Sequence, residues 1–215
     1  MTQDAQSVRE DLAFIKTLAQ EGRRAPLMSG RFLLSAGLVY GVTSLVAWAI
    51  TIRLIDVPLD WLAGLWLGVT IVFVPSTRLL GRFVVNRPGL TAANNRAAFA
   101  VWQGLGFALT SMLVAACAIS GIVKTPIVFA VFPSIVLAVY GMAWWLAAAV
   151  SDLNWLRWTA LGCFVSAVLI ALLIESTAIY LAYAAALFAF LALPGWLLMR
   201  AEPAALVDAH PATLA

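Results

Sequence analysis

From residue 32 to residue 199 the chain alternates long apolar blocks with brief polar interruptions. The blocks run Phe32–Thr51, Leu59–Leu79, Ala97–Ser120, Pro126–Val150, Trp155–Ile174 and Thr177–Met199. A helix rising 1.5 Å per residue needs roughly 20 residues to cross a hydrocarbon core of about 30 Å, and each block is long enough. None shows the two-residue alternation of a membrane-barrel strand. The pattern predicts an all-α fold, a polytopic bundle of six transmembrane helices. The links at Arg53–Pro58, Gly121–Thr125 and Glu175–Ser176 are short, so consecutive helices should lie antiparallel. The longer link from Leu80 to Arg96 holds Asn86-Arg87-Pro88-Gly89, a turn signal, and Thr91 can cap the next helix.

Ahead of the blocks the period changes. Val8, Leu12, Ile15 and Ala19 form one apolar stripe at helical spacing, with Leu18 beside it. Ser7 and Glu10 make a capping box and Gly22 can close the helix. This predicts a short amphipathic helix over 7–21. Asp4, Glu10, Asp11 and Glu21 outnumber Arg9 and Lys16, whereas helices that bind anionic lipid carry Lys and Arg on the polar face. The stripe should therefore pack on the ends of its own bundle or dock in a partner protein's groove. The expected division is residues 1–30 (amphipathic helix and basic juxtamembrane segment), 31–200 (membrane domain) and 201–215 (short tail).

Composition then excludes whole classes. Of 215 residues, 64% are hydrophobic and 11% charged, against about 45–50% and 25% in soluble domains. A soluble fold could not hide that much apolar surface, and a disordered chain or a secreted disulfide scaffold would not carry it. The charge is sorted as well as scarce. With six spans, Arg9, Lys16, Arg23, Arg24, Arg31, Arg78, Arg82, Arg87, Arg96, Arg157 and Arg200 share one side, and only Arg53 and Lys124 lie on the other. Basic loops stay in the cytoplasm, so both termini are expected there. The net charge of +3 is thus an orientation signal, and nucleic acid is not an expected partner. Trp61, Trp155, Trp158 and Trp196 fall near span ends, as interface anchors do. The polar first 30 residues do not read as a signal peptide.

Two motifs concern packing. Gly37-x-x-x-Gly41 and Gly64-x-x-x-Gly68 each place small residues on one helix face. They predict either contact between these neighbouring spans, the simpler reading, or a seam between two copies of the chain. Residues 37–45 also match residues 104–112 at Gly, Leu, Thr and Ser, and with Arg157 and Gly162 as a fainter third copy the pattern predicts three tandem hairpins. Thr43–Ser44 and Thr110–Ser111 then fall at equivalent midplane positions. They either line a small polar site or bond back to their own helices. Pro75, Pro133 and Pro194 are expected bends.

Catalytic chemistry is sparse. Cys117 and Cys163 sit in apolar runs, and the single histidine, His210, lies near the end. Paired-histidine metal motifs are therefore excluded. No ionisable residue lies mid-span, which argues against proton-coupled transport. Gln103 is the one carboxamide well inside a span; Asp152 with Asn154, and Asp56 with Asp60, read as loop residues. No enzyme activity, metal or cofactor is expected. The leading expectation is an inner-membrane protein acting through protein contacts, with Val8, Leu12, Ile15 and Ala19 and the 81–96 loop as its cytoplasmic surfaces. The alternative is a channel or carrier for a small neutral or lipid-like solute.

Asp11-Leu-Ala-Phe-Ile-Lys-Thr-Leu-Ala and Glu21-Gly-Arg-Arg-Ala-Pro-Leu-Met-Ser-Gly-Arg-Phe resemble the N-termini of uncharacterised small bacterial multi-pass membrane proteins. That resemblance covers about the first 40 residues and implies a bacterial inner membrane without implying an activity. The six-span, glycine-marked layout is loosely similar to the acid-resistance HdeD-type membrane proteins, to which the N-terminal helix is an addition. No functional residue follows from either.

Overall fold

The computed structural model describes residues 12–13, 27–82, 93–124, 127–151 and 153–202. Among the described residues there is no strand. The long helices are α1 (Gly30–Thr51), α2 (Trp61–Arg82), α3 (Ala93–Val123), α4 (Ile127–Val150), α5 (Trp155–Ala171) and α6 (Ile179–Ala201). Of the N-terminal amphipathic helix, Leu12 and Ala13 are described; they are helical and exposed. Val8, Ile15 and Ala19 lie outside the described residues, as does most of the 81–96 loop.

Four helices, α1, α3, α4 and α6, are long and apolar enough to cross a membrane. In α2 and α5 the apolar helical stretch is shorter, Trp61–Thr77 and Trp155–Ala171. The fifth block was expected to stay helical to Ile174. Instead α5 ends after 17 residues, about 26 Å of helix. Leu173, Ile174 and Ser176 donate to carbonyls three residues back, so the chain tightens into turns. The Ser176 hydroxyl then accepts the Ala178 N–H at 3.1 Å, which holds the reversal into α6. Arg53 and Lys124 follow α1 and α3 in left-handed backbone, with φ of 61° and 58°. At α1, Arg53 N–H reaches Ile50 O and Leu54 N–H reaches Ala49 O, a Schellman closure made without glycine.

Two helix pairs pack most extensively, α4 with α5 and α1 with α6. On α5 the buried residues Leu156, Ala160, Cys163, Ala167 and Ile170 recur every three or four positions, and three of the five are small. That stripe lets α4 approach closely, and Gly141 of α4 receives the Phe164 ring. α2 lies against α1, and α3 against α4. α2 and α3 barely meet. The most extensive contacts therefore run across the three expected hairpins rather than within them.

Three contacts gather the start of α1, the start of α3 and the end of α6 at one end of the bundle. Arg31 Nε pairs with Glu202 Oε2 at 3.2 Å, joining the start of α1 to the end of α6. Gly30 lies against the backbone of Met199. The Met28 N–H donates to Asn95 Oδ1 at 2.9 Å, tying the lead-in of α1 to the start of α3. Trp102, early in α3, meets Trp144, late in α4, so the 151–154 link belongs to the same end. Leu27 and Met28, in the expected basic juxtamembrane segment, are fully buried there. Elsewhere the outside of the bundle is apolar: Val72, Phe107, Ile122, Val168 and Leu172 are all largely exposed. An apolar surface of that extent suits hydrocarbon rather than water.

Candidate functional site

The first packing motif has a different partner from the one expected. A Cβ on Gly37 would overlap the backbone of Ala192, and one on Gly41 would strike the Phe188 ring, both in α6. Gly195 of α6 in turn lies against the backbone of Leu34. Gly30, Gly37 and Gly195 thus form a backbone-to-backbone seam between the first and last helices. A Cβ on Gly64 or Gly68 would meet no neighbour within 4 Å among the described residues, so the two motifs do not pack on each other. The physical reason lies in α6, which offers Ala192 and Gly195 at matching heights while α2 presents its glycines outward.

The hydroxyl pairs do not form one site. Thr43 and Ser44 are buried in the bundle, where their hydroxyls donate to Val39 O and Tyr40 O at 2.8 Å each. Thr110 and Ser111 lie toward the outside of α3 and donate to Gly106 O and Phe107 O, also at 2.8 Å. All four bond back one turn, which satisfies a hydroxyl in an apolar medium without a ligand. A Cβ on Gly104 or Gly106, beside the second pair, would meet no neighbour within 4 Å among the described residues. The two matching sequence segments therefore occupy opposite environments, one a helix seam and the other an outer face.

The interior is instead organised by aromatic residues that the hydropathy pattern hides. All four tyrosines of the chain, Tyr40, Tyr140, Tyr180 and Tyr183, turn inward. Tyr40 stacks on Trp66 with ring centroids 6.5 Å apart and meets Phe73 edge-on at 5.3 Å. Trp66 also touches Tyr180 and Tyr183, so a single α2 side chain ties α1 to α6. On the far side, Trp102 contacts Tyr140 and Trp144. Tyr40 donates to Thr70 Oγ1 at 3.3 Å, and the Thr70 hydroxyl in turn donates to Trp66 O at 2.8 Å. Tyr140, Tyr180 and Tyr183 are each more than nine-tenths buried and have no hydrogen bond among the described residues. The spacing Tyr180-x-x-Tyr183 is the one signal that two of these rings share a helix face.

A second interior device centres on Pro194. Proline has no N–H to give to the carbonyl four residues back, which here is Phe190. The helix widens into a π turn over Phe188–Ala192 immediately before it. The Phe190 carbonyl accepts the Trp144 indole N–H of α4 instead, at 2.9 Å. The same turn sends the Phe188 ring onto Gly41 of α1 and the Phe190 ring onto Gly162 of α5. The expected bend at Pro194 is thus a junction at which α6 engages three other helices. Neither Trp144 nor the two ring-receiving glycines could be assigned to it from sequence.

Among the described residues, no three His, Cys, Asp or Glu side chains gather as metal ligands. Cys117 and Cys163 are free thiols on α3 and α5. What the interior can do chemically is pack and hydrogen-bond. At the end where α1 begins and α6 finishes, Arg96 and Arg157 are exposed, and Arg200 lies over the Trp196 ring at 3.8 Å. No protein-family model matches the chain, and no curated protein or solved structure matches it.

Proposed function

We propose that the protein is a six-span integral protein of a bacterial inner membrane, with both termini in the cytoplasm. On this reading it acts through protein contacts as an accessory or regulatory subunit and catalyses no reaction. The resemblance of residues 11–32 to small bacterial multi-pass proteins supports the location. The gathering of Arg31, Arg96, Arg157 and Arg200 at one end, with Arg53 and Lys124 at the other, supports the orientation.

One observation carries the choice of a contact role over a conduit: the centre is filled. Ala47, Ala143, Trp144, Leu156, Cys163 and Leu187 have no accessible surface, and the α1–α6 seam closes backbone on backbone. A filled bundle works at its surfaces. A surface suited to a partner is the N-terminal stripe, whose one described residue, Leu12, is 60% exposed. Co-purification of the full chain from native membranes, beside a variant lacking residues 1–22, tests this. A partner recovered in fixed ratio with the full chain and lost with the shortened one is expected. Loss of the fold on shortening, with no partner on the full chain, would instead make the helix part of its own bundle.

A further inference from the structure

We propose that the groove between the end of α4 and the start of α5 holds the phosphate of an anionic phospholipid. The groove has a volume of about 370 Å³ and is lined by Trp145, Asn154, Arg157, Trp158 and Leu161. It is not part of the aromatic interior, and the proposed contact role makes no use of it.

Its chemistry is graded along the helix axis. At the outer end stand Arg157 and Asn154, both exposed. A guanidinium presents a planar fork of N–H donors that fits phosphate oxygens two at a time. The Asn154 side chain makes no capping bond to its own helix, so its amide is available as a further donor. Further along the groove the lining is apolar: Trp158, 76% exposed, directly follows Arg157, Leu161 lies one turn beyond Arg157, and Trp145 comes from α4. Indoles at a helix end belong to the headgroup layer, and a leucine one turn below them faces hydrocarbon. A phosphate alone would use the first part of the groove and leave the second uncovered. A phospholipid fits both, with its headgroup on Arg157 and Asn154 and the first part of an acyl chain along Leu161. The volume suits a headgroup, since whole-ligand pockets run from about 300 to 1,000 Å³. Among the described residues that line the groove there is no carboxylate to pair with a choline or ethanolamine ammonium. The groove therefore favours a lipid with net negative charge, such as phosphatidylglycerol.

The proposal rests on the membrane reading but not on which compartment this end faces. It is tested by native mass spectrometry of the full chain in mild detergent, titrated with phosphatidylglycerol, phosphatidylcholine or inorganic phosphate. The wild type should hold phosphatidylglycerol roughly tenfold more tightly than phosphatidylcholine, with no displacement by millimolar phosphate. Arg157→Gln should remove that preference, and Arg157→Lys should keep part of it. Arg200→Gln, an exposed arginine at the same end, should leave it intact. Equal affinity for the two lipids, or a preference that survives Arg157→Gln, would overturn the site. An equal loss in Arg200→Gln would reduce the effect to bulk charge and overturn it too, and displacement by inorganic phosphate would show a free anion as the ligand. Phosphatidylcholine bound equally by all variants shows that they remain folded membrane proteins, which separates failure of this site from failure of the membrane reading.

Discussion

Gly37 and Gly64 each open a Gly-x-x-x-Gly pair, yet only the first faces another backbone. Their identical spacing hides opposite consequences. At Gly37 an added methyl meets the main chain of Ala192, which cannot rotate away as a side chain could. Gly37→Ala should destabilise the detergent-solubilised protein by about 2 kcal/mol, the usual scale for overpacking. Gly64→Ala adds its methyl to open space and should be neutral or slightly stabilising, because alanine favours helix over glycine. Thermal melts of the two variants side by side check this; equal losses would mean that Gly64 also lies in a seam. Periodicity could identify both glycines as packing residues but not their partners, because a small residue states how closely a neighbour may come and not which neighbour comes. The tyrosines were hidden for the opposite reason. Tyr40 and Tyr140 each lie alone in an apolar run where ring and hydroxyl add little to the pattern, Tyr180-x-x-Tyr183 shows a shared face but not its partners, and their common meeting place exists only after the helices assemble.

At the scale of elements, α6 shows most clearly what sequence left open. Its apolar block and Pro194 were legible, and a bend was the natural expectation. The observed solution is a π turn whose freed Phe190 carbonyl is met by Trp144, with the Phe188 and Phe190 rings seated on Gly41 and Gly162. Trp144→Phe should weaken the fold both by loss of packing and by loss of this bond. A cycle with Pro194→Ala separates the two effects, because alanine at 194 brings back the N–H that can serve the Phe190 carbonyl. Trp144→Phe should then cost roughly 0.5–1 kcal/mol less in the Pro194→Ala background, the scale of one buried hydrogen bond in a membrane protein. Additive melting shifts would show that the indole bond contributes nothing. The early end of α5 was hidden in a similar way. Hydropathy stays high through Ile174, but the choice between helix and turn there is made by local hydrogen bonds that composition does not encode.

For the whole molecule, fold class and the approximate placing of all six helices could be read from hydropathy alone, because block length and apolar content are properties of the chain. The assembly could not. Short links made α1–α2, α3–α4 and α5–α6 natural pairs, whereas α1 on α6 and α4 on α5 dominate. Pairing depends on which small residues align at which height, and that is decided between helices. One consequence is that the first and last of these helices hold each other, so the start of α1 and the end of α6 meet at the basic end through Arg31 and Glu202. Orientation is the claim on which the contact role and the sorted charges both depend. Cysteine labelling in a chain lacking Cys117 and Cys163 tests it directly, using a membrane-impermeant maleimide on intact cells. Ile55→Cys and Glu175→Cys, at one end of the bundle, should label without permeabilisation, and Asn154→Cys and Ala201→Cys, at the other, only after it. Labelling of position 154 or 201 in intact cells, or different outcomes for 55 and 175, would contradict a six-span bundle with both termini in the cytoplasm.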